Sequence, residues 1–386
     1  MIDTGQRPPH QHHSGDQGYC ALNTHDEAGD EDRPRRVGVV GWFGVRFHAA
    51  SVTASPIDSY DVRAVLIVNP NATSTTPAGR DLLAHALKSR LELTVVHTAY
   101  PEHAAEISAA ACRDGIDVVI AHGGDGTVHG VVNGLLGPPD SSPPAHVPAV
   151  AVVPGGSANV FARALGISAD PIAATNQLIE LINGSGAEPS WRRISLIDCG
   201  DRWSVLNAGL GVDGEVVAAV EAQRKKGRTV TPLRYVRAAV PAVLAATRRA
   251  PTLTLRLGDA PPVEHVHFVF VSNCAPWTYA DDRPVWTNPD TTFESGMGVF
   301  ATTSMKILPT AMLARQMLSK RPKLRAKHLI RDDNVATLTV DSSDTPIAAQ
   351  IDGEYLGLRT TMTFRTVADA LNVVAPAAQH PAELRK

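Results

Sequence analysis

The segment from Val118 to Leu136 runs as an apolar stretch into Gly123-Gly-Asp-Gly-Thr127 and then into a helical pattern. Such a turn is suited to phosphate. Gly123, Gly124 and Gly126 allow the backbone to approach a ligand closely, and a helix opening at Thr127 turns free N–H groups and its positive dipole end toward the loop. Asp125, set among those donors, reads as a metal or water ligand beside a polyphosphate. A second turn repeats the pattern. The strand-like Ala149–Val153 breaks at Pro154-Gly155-Gly156, passes Ser157 and Asn159, and enters the helical run Val160–Leu165. Ser157 or Asn159 is placed to cap that helix and leave neighbouring amides for phosphate. Either turn alone can be a plain strand-to-helix connection. Two of them, at the ends of successive strands, point to nucleotide chemistry.

Two further carboxylates stand on glycine-flanked turns. Gly209-Leu-Gly-Val-Asp-Gly214 fits G-x-G-x-x-G, but a dinucleotide fingerprint also needs an acidic residue about 20 positions on in a second βα unit. Here a helix from Glu215 leads instead into Arg224-Lys-Lys-Gly-Arg228. Asp213 therefore either caps that helix or faces a ligand. Asp352-Gly-Glu354 has the signature of a hairpin turn. It also supplies, in Glu354, the type of group that accepts a hydroxyl proton during phosphoryl transfer.

The elements that must position these groups follow from pattern. Strand at Val62–Val68, helix at Ala78–Arg90, strand at Leu93–Thr98 and helix at Glu102–Arg113 precede the first glycine turn, an alternation that implies a three-layer α/β domain with a mostly parallel sheet. From about Ile194 short strands dominate: Ile194–Asp198, Trp203–Asn207, Leu253–Leu257, His265–Ser272, Met297–Thr303, Ala336–Val340 and Ala348–Ile351. They predict an antiparallel β-sandwich. The expected domains are therefore 61–195 and 196–359, with 360–376 (the apolar Leu371–Ala375) returning to the first. Residues 1–60, where His10, His12 and His13 lie, are expected to be a disordered extension, and 377–386 a tail.

A chain of 386 residues with 44% hydrophobic and 19% charged residues has the composition of globular protein and is long enough for two cores. Its net charge of -3 argues against a nucleic-acid binder. Cys20, Cys112, Cys199 and Cys274 form no Cys-x-x-Cys pair, so neither a disulfide framework nor a zinc site is predicted, and a reducing cytoplasm is the expected setting. No apolar run reaches the roughly 18 residues of a membrane span.

Taken in order and spacing, Gly123-Gly-Asp-Gly-Thr127, Pro154-Gly-Gly-Ser-Ala-Asn159, Asn207-Ala-Gly-Leu-Gly-Val-Asp213 and Asp352-Gly-Glu354 resemble the soluble diacylglycerol kinase and sphingosine kinase family of lipid kinases. The resemblance runs from about Val62 to Ala375. It implies ATP-dependent phosphorylation of a lipid hydroxyl, most simply diacylglycerol giving phosphatidic acid, in a cleft between the two domains. By position, Asn69, Pro70, Asn71, Ala72, Thr73 and Thr98 resemble nucleotide contacts. Gly123, Gly124, Asp125, Gly126, Thr127, Val128, His129 and Gly130 resemble the phosphate loop, with Gly155, Gly156, Ser157 and Asn159 as the second phosphate turn. Glu354 matches the proton acceptor, Asp125 and Asp198 the carboxylates that organise Mg²⁺ and water, and Asp213 a substrate contact.

Three positions depart from the family pattern: Val160 and Gly130 replace frequent acidic residues, and Glu294-Ser295 stands where relatives hold a structural Mg²⁺. The alternatives are a sphingoid-base or other long-chain alcohol kinase, an NAD kinase, and a nucleotide- or lipid-binding protein without catalysis. An NAD kinase should carry an Asn-Glu pair after the first turn, which this chain lacks. The expected partners are ATP, the lipid, a second copy of the chain, and the anionic inner face of a membrane. That last contact would be made through Arg224–Arg228, Arg234, Arg237, Arg248 and Arg249, and through Lys320–Lys327. Trp277, Tyr279 and Trp286 would edge a lipid pocket or pack in the core.

Overall fold

The computed structural model describes residues 62–72, 75–142, 144–183, 191–225, 240–280, 282–320, 322–342 and 345–378. The readings of residues 1–60, of Thr73, of the side chains of Arg224 and Lys225, of Lys226, Arg228, Arg234, Arg237 and Arg321, and of 379–386 fall outside them.

The N-terminal half alternates as expected: β1 (Arg63–Val68), α1 (Pro77–Lys88), β2 (Glu92–His97), α2 (His103–Arg113), β3 (Val118–Gly123), α3 (Asp125–Leu136), β4 (Ala149–Pro154), α4 (Val160–Ala164) and α5 (Pro171–Asn183). The strands lie parallel in the order β2-β1-β3-β4. Because both faces are covered, β3 and β4 are buried at every residue, which explains their continuous apolar runs. Val119, Ala121, Val131 and Leu135 belong to one core, and Leu66, Ile120, Leu87 and Leu178 to the core on the other face. Pro77 opens α1 next to Thr76, whose hydroxyl accepts the Gly79 N–H at 3.1 Å, a cap that sets where the helix begins.

The C-terminal half comprises β5 (Trp191–Asp198), β6 (Trp203–Ser204), β7 (Asn207–Leu210), α6 (Val212–Lys225), β8 (Leu253–Leu257), β9 (Val263–Val266), β10 (Phe268–Ser272), β11 (Thr278–Ala280), β12 (Arg283–Val285), β13 (Met297–Thr302), α7 (Ile307–Met317), β14 (Leu329–Val335), β15 (Thr337–Ser342), β16 (Ile347–Ile351), β17 (Glu354–Arg359) and β18 (Thr361–Val374). A six-stranded sheet, β14-β13-β10-β7-β16-β17, packs against β8, β9, β15 and the first part of β18. Leu255, Leu338, Val340 and Phe364 meet Val271, Val299 and Ile351 in the core between them. This is the antiparallel sandwich.

The fourteen-residue β18 joins the halves: it pairs with β15, then β5, and at Val373 lies parallel to β4. Two expected strands are each divided. His265–Ser272 becomes β9 and β10, which belong to different sheets, and His265 at φ +59° lies where the β8–β9 register shifts. Trp203–Asn207 becomes β6 and β7, because the Val205, Leu206 and Asn207 amides turn toward the Asp352 carboxylate instead of a neighbouring strand.

Candidate active site

The two glycine turns lie against each other. The Gly155 N–H donates to the Gly123 carbonyl at 2.8 Å, and a Cβ on Gly156 would meet Gly124 Cα at 2.7 Å. Asn159, left-handed at φ +47°, closes the second turn through Oδ1 to the Gly156 N–H and Nδ2 to the Gly156 carbonyl, both 2.8 Å. Gly155 and Gly156 thus let the two turns pack together, Gly123 makes room for Thr127, and Asn159 closes its own turn. Gly126 differs, since a Cβ there would meet nothing within 4 Å. The open space beside it is a cavity of about 470 Å³ lined by Asn69, Asn71, Thr98, Gly124, Gly126, Thr127 and Glu354, among others. The start of α3 faces this space, and the first N–H groups of a helix have no partner within it. Asn69 is fixed by donating Nδ2 to Thr127 Oγ1 at 3.3 Å and accepting the Asn71 N–H at 2.9 Å.

Not every expected contact reaches this cavity. Pro70 accepts from Arg80 through its carbonyl, Ala72 packs beside Gly155, and Val128 is buried in the core. Ser157 is exposed and is not among the lining residues. His129 and Gly130 line an adjoining cavity of about 360 Å³, into which Glu354 also reaches.

The centre of the site is a residue that reads from sequence as a turn former. Asp352 and Gly353, at φ +48° and +82°, make the two-residue turn between β16 and β17, the geometry that Asp-Gly favours. The Asp352 carboxylate is buried. It accepts the Val205, Leu206 and Asn207 N–H groups at 2.7, 2.9 and 2.8 Å, the Ser204 hydroxyl at 3.0 Å and His129 Nδ1 at 2.7 Å. Burial alone would raise its pKa, but the His129 hydrogen bond and charge, with the amide donors, hold it below the ordinary carboxylate value. Glu354, two residues on, is half exposed, 3.3 Å from Arg202 Nη1 and 3.7 Å from His129 Nε2. Sequence reasoning missed the role of Asp352 and missed Arg202. The five donors come from residues more than 140 positions away, so no local signal could reveal them.

Asp125 requires a correction. Its two oxygens accept the Val160 N–H at 3.1 Å and the Phe161 N–H at 3.0 Å, so it caps α4 from the neighbouring turn, the task assigned above to Ser157 or Asn159. Burial raises its pKa and the two amides only partly offset this. Asp198 also lies elsewhere, accepting the Gly200 N–H at 2.8 Å and facing Arg365 Nη1 at 3.3 Å. Glu294 pairs with Arg192, and the Ser295 hydroxyl bonds Thr292 and Gly296. Among the described residues no group of three or more His, Cys, Asp or Glu could hold a metal ion. Both carboxylates expected to organise Mg²⁺ are thus engaged by donors of the protein itself.

Asp213 faces a different space. An apolar cavity of about 210 Å³ is lined by Asp213, Val216, Phe270, Trp277, Phe300 and Leu313, among others. Trp277 stands edge-on to Phe270 with centroids 5.0 Å apart, whereas Trp286 is a core residue and Tyr279 lies under the Arg163 guanidinium. Asp213 Oδ2 accepts Gln350 Nε2 at 2.6 Å, and the same nitrogen reaches Asn207 Oδ1 at 3.1 Å. Gln350 Oε1 in turn accepts the Gly353 N–H at 2.8 Å. One side chain thus ties the apolar cavity to the turn that carries Glu354. Burial pushes the Asp213 carboxyl up to about 6. A carboxyl raised in the folded state favours folding while protonated and loses that contribution as pH climbs from the unfolded value through 6. Stability measured by thermal melting should fall over that interval, and Asp213→Asn should flatten the decline and gain about 1–3 kcal/mol at pH 8.

The order of these turns along β3–α3 and β4–α4 has a known counterpart. Residues 63–184 match the model of the diacylglycerol kinase catalytic domain. That part of the chain is similar to this family's catalytic domain. A YegS-like lipid kinase of Xanthomonas campestris is 33% identical over 162 residues, 42% of this chain and 50% of that protein. A diacylglycerol kinase of Staphylococcus saprophyticus is 32% identical over 123 residues, 31% of this chain and 37% of the relative. Sphingoid long chain base kinase 5 of Saccharomyces cerevisiae is 35% identical over 96 residues, 25% of this chain and 14% of the relative. The chain thus spans half or less of the length of these curated relatives. The crystal structure of a diacylglycerol kinase from Bacillus anthracis superimposes with a TM-score of 0.60 at 16% identity, covering 82% of this chain and 97% of that one, a likeness of fold.

Proposed function

We propose that this chain is an ATP-dependent lipid kinase that transfers the γ-phosphate to the hydroxyl of a membrane lipid, with diacylglycerol giving phosphatidic acid as the first substrate to test. The observation that carries this reading is Glu354 in the wall of the cavity that Gly124, Gly126 and Thr127 also line. A proton acceptor there stands opposite the amides suited to the triphosphate. Asn69, Asn71 and Thr98 would contact the nucleotide, and the start of α3 would hold its phosphates. Glu354 would take the hydroxyl proton as the lipid oxygen bonds to the γ-phosphorus and the bond to the departing ADP breaks. Positioning and charge neutralisation would supply most of the rate. Mg²⁺ enters only as the ion that the nucleotide brings on its own phosphates, with retained waters.

A second reading has an observation of its own. Asp213 is a half-buried residue on an apolar cavity, its carboxyl pushed up to about 6 by burial, and an ammonium beside it would relieve the cost of its charge. That favours a sphingoid base over neutral diacylglycerol. The deciding experiment is transfer of labelled phosphate from ATP to diacylglycerol, a sphingoid base and NAD in mixed micelles. Phosphorylation of a lipid is expected; phosphorylation of NAD alone, or of nothing, ends the proposal.

A bilayer surface fits α7 and the segment that follows. Ile307, Leu308, Met312 and Leu318 are exposed by 66, 70, 59 and 54%, while Leu313 and Met317 of the same helix line the apolar cavity. Lys306, Arg315, Lys320, Lys323, Arg325 and Lys327 surround them, all exposed, with no Asp or Glu between Ser295 and Arg331. Among the described residues no helix is long and apolar enough to cross a membrane, so the contact we propose is peripheral, at an anionic inner leaflet. Sedimentation should show binding to phosphatidylserine-rich vesicles and little to pure phosphatidylcholine. Lys320→Glu with Lys323→Glu should weaken it tenfold or more, since each cation near such a surface contributes about 1 kcal/mol. Equal binding to both vesicle types would remove this surface from the model of action.

A further inference from the structure

His129 sits on α3 with a carboxylate at each ring nitrogen. Nδ1 is 2.7 Å from Asp352 Oδ2 and Nε2 is 3.7 Å from Glu354 Oε2. A neutral imidazole has one N–H and one lone pair, so one carboxylate would face a lone pair. Only the doubly protonated ring offers a donor to both. His129 is 4% exposed, which leaves little room for water to take the place of either partner.

Around the ring, the Asn133 Nδ2 donor lies 3.4 Å from Nδ1, farther than the Asp352 oxygen at 2.7 Å, and the charged groups favour the same assignment. Arg202, from the β5–β6 turn, shares the Glu354 oxygen at 3.3 Å. Glu102 and Asp201 line the cavity that His129 and Glu354 share. Asn133, one turn along α3, donates to the His129 and Trp203 carbonyls at 3.0 and 3.1 Å, fixing the helix against β6. The carboxylates near the ring outnumber the one guanidinium, so a positive imidazole is favoured there.

We propose that His129 is a positioning residue: as an imidazolium clamped between Asp352 and Glu354, it holds the Glu354 carboxylate at the wall of the phosphate cavity, and turnover requires this ring to be protonated. Glu354 is half exposed and, held by Arg202 alone, has rotamers available that point away from the cavity. Loss of the Nε2 proton would put a lone pair against its oxygen and leave Arg202 to draw it out of place. Burial acts to lower the His129 pKa, but the hydrogen bond and charge of Asp352, with the charge of Glu354, outweigh it and raise the value. Activity should therefore fall on the alkaline side.

The kinetic consequence rests on the lipid-kinase reading, but the protonation state does not, and the two are separated in the test. In the full chain labelled with [¹⁵N]histidine, the ring signals of His129, assigned by their loss in His129→Asn, should show both nitrogens protonated at pH 7. Glu354→Gln should lower the titration midpoint of that ring by about half a unit or more. A ring with one bare nitrogen at pH 7, or a midpoint that Glu354→Gln leaves unmoved, overturns the proposal whether or not a lipid substrate has been found. With a phosphorylated lipid in hand, kcat of the wild type should decline at high pH with the same midpoint. His129→Asn, which keeps a donor for Asp352, should turn over about tenfold to a hundredfold more slowly, lack the decline and keep the KM for ATP within about twofold. A His129→Asn profile parallel to that of the wild type would also overturn it.

Discussion

Replacing Glu354 by Gln is expected to slow phosphoryl transfer by about 10²–10⁴-fold, the usual loss when a positioned proton acceptor is removed. The argument is one of placement. Glu354 opens β17 directly after a tight turn, so its Cα is set by the β16–β17 pairing and by the buried carboxylate of Asp352 just before it. Gln keeps the size and the ability to accept from Arg202 and His129, but it takes up no proton. Because the side chain is half exposed, loss of its charge should change stability by less than about 1 kcal/mol, and the wall of the cavity is kept. Single-turnover phosphate transfer, read beside ATP binding and a thermal melt, separates these quantities. A variant that keeps a third or more of wild-type turnover would show that the hydroxyl proton leaves by another route.

The second large effect concerns stability. Asp352→Ala should destabilise the chain by about 3–5 kcal/mol, the range for removing one partner of a buried charged pair. His129 would be left without its nearest counter-ion, and the Ser204, Val205, Leu206 and Asn207 donors without their acceptor. Asp352→Asn restores the shape but turns an N–H toward one set of amides, so it should recover only part of the loss. The pair also sets a pH window. Asp352 is held below the ordinary carboxylate value, so its contribution is complete above that value and lost as pH falls through the lower folded one. His129 is raised above 6.5, so its contribution is complete below 6.5 and lost as pH rises through the raised value. Urea unfolding of the wild type should show a plateau between those limits. Asp352→Ala should flatten it, and a variant as stable as the wild type at pH 6 would remove Asp352 from the centre of the site.

Much of the layout was readable in the chain because it obeys local rules. The alternation from Val62 to Leu165 has the periods of helix and buried strand, and its parallel sheet follows from the length of the crossovers. The Asp352-Gly353 turn was legible for the same reason, since few dipeptides accept two positive φ values. Asn69, Thr98, Gly124, Gly126, Thr127 and Glu354, singled out by motif, line one cavity. The errors fell where one residue type satisfies two different demands. Glycines at 155 and 156 looked like phosphate contacts because Gly permits close approach, but what approaches them is the other turn's backbone, while at Gly123 it is the Thr127 side chain. Asp125 looked like an ion ligand, but the α4 amides it accepts lie 35 positions away.

By itself, then, the amino-acid order determined which segments are helix or strand, where the glycine turns fall and which carboxylates flank them, because those depend on interactions within a few residues. Only the tertiary structure decided what each carboxylate faces. Asp125 meets amides, Asp198 an arginine, Asp213 an apolar cavity, Asp352 a ring of donors with His129, and Glu354 the cavity at the start of α3. The physical reason is that a carboxylate's chemistry is set by the donors and charges within a few ångströms of it, and here most of those neighbours come from distant parts of the chain.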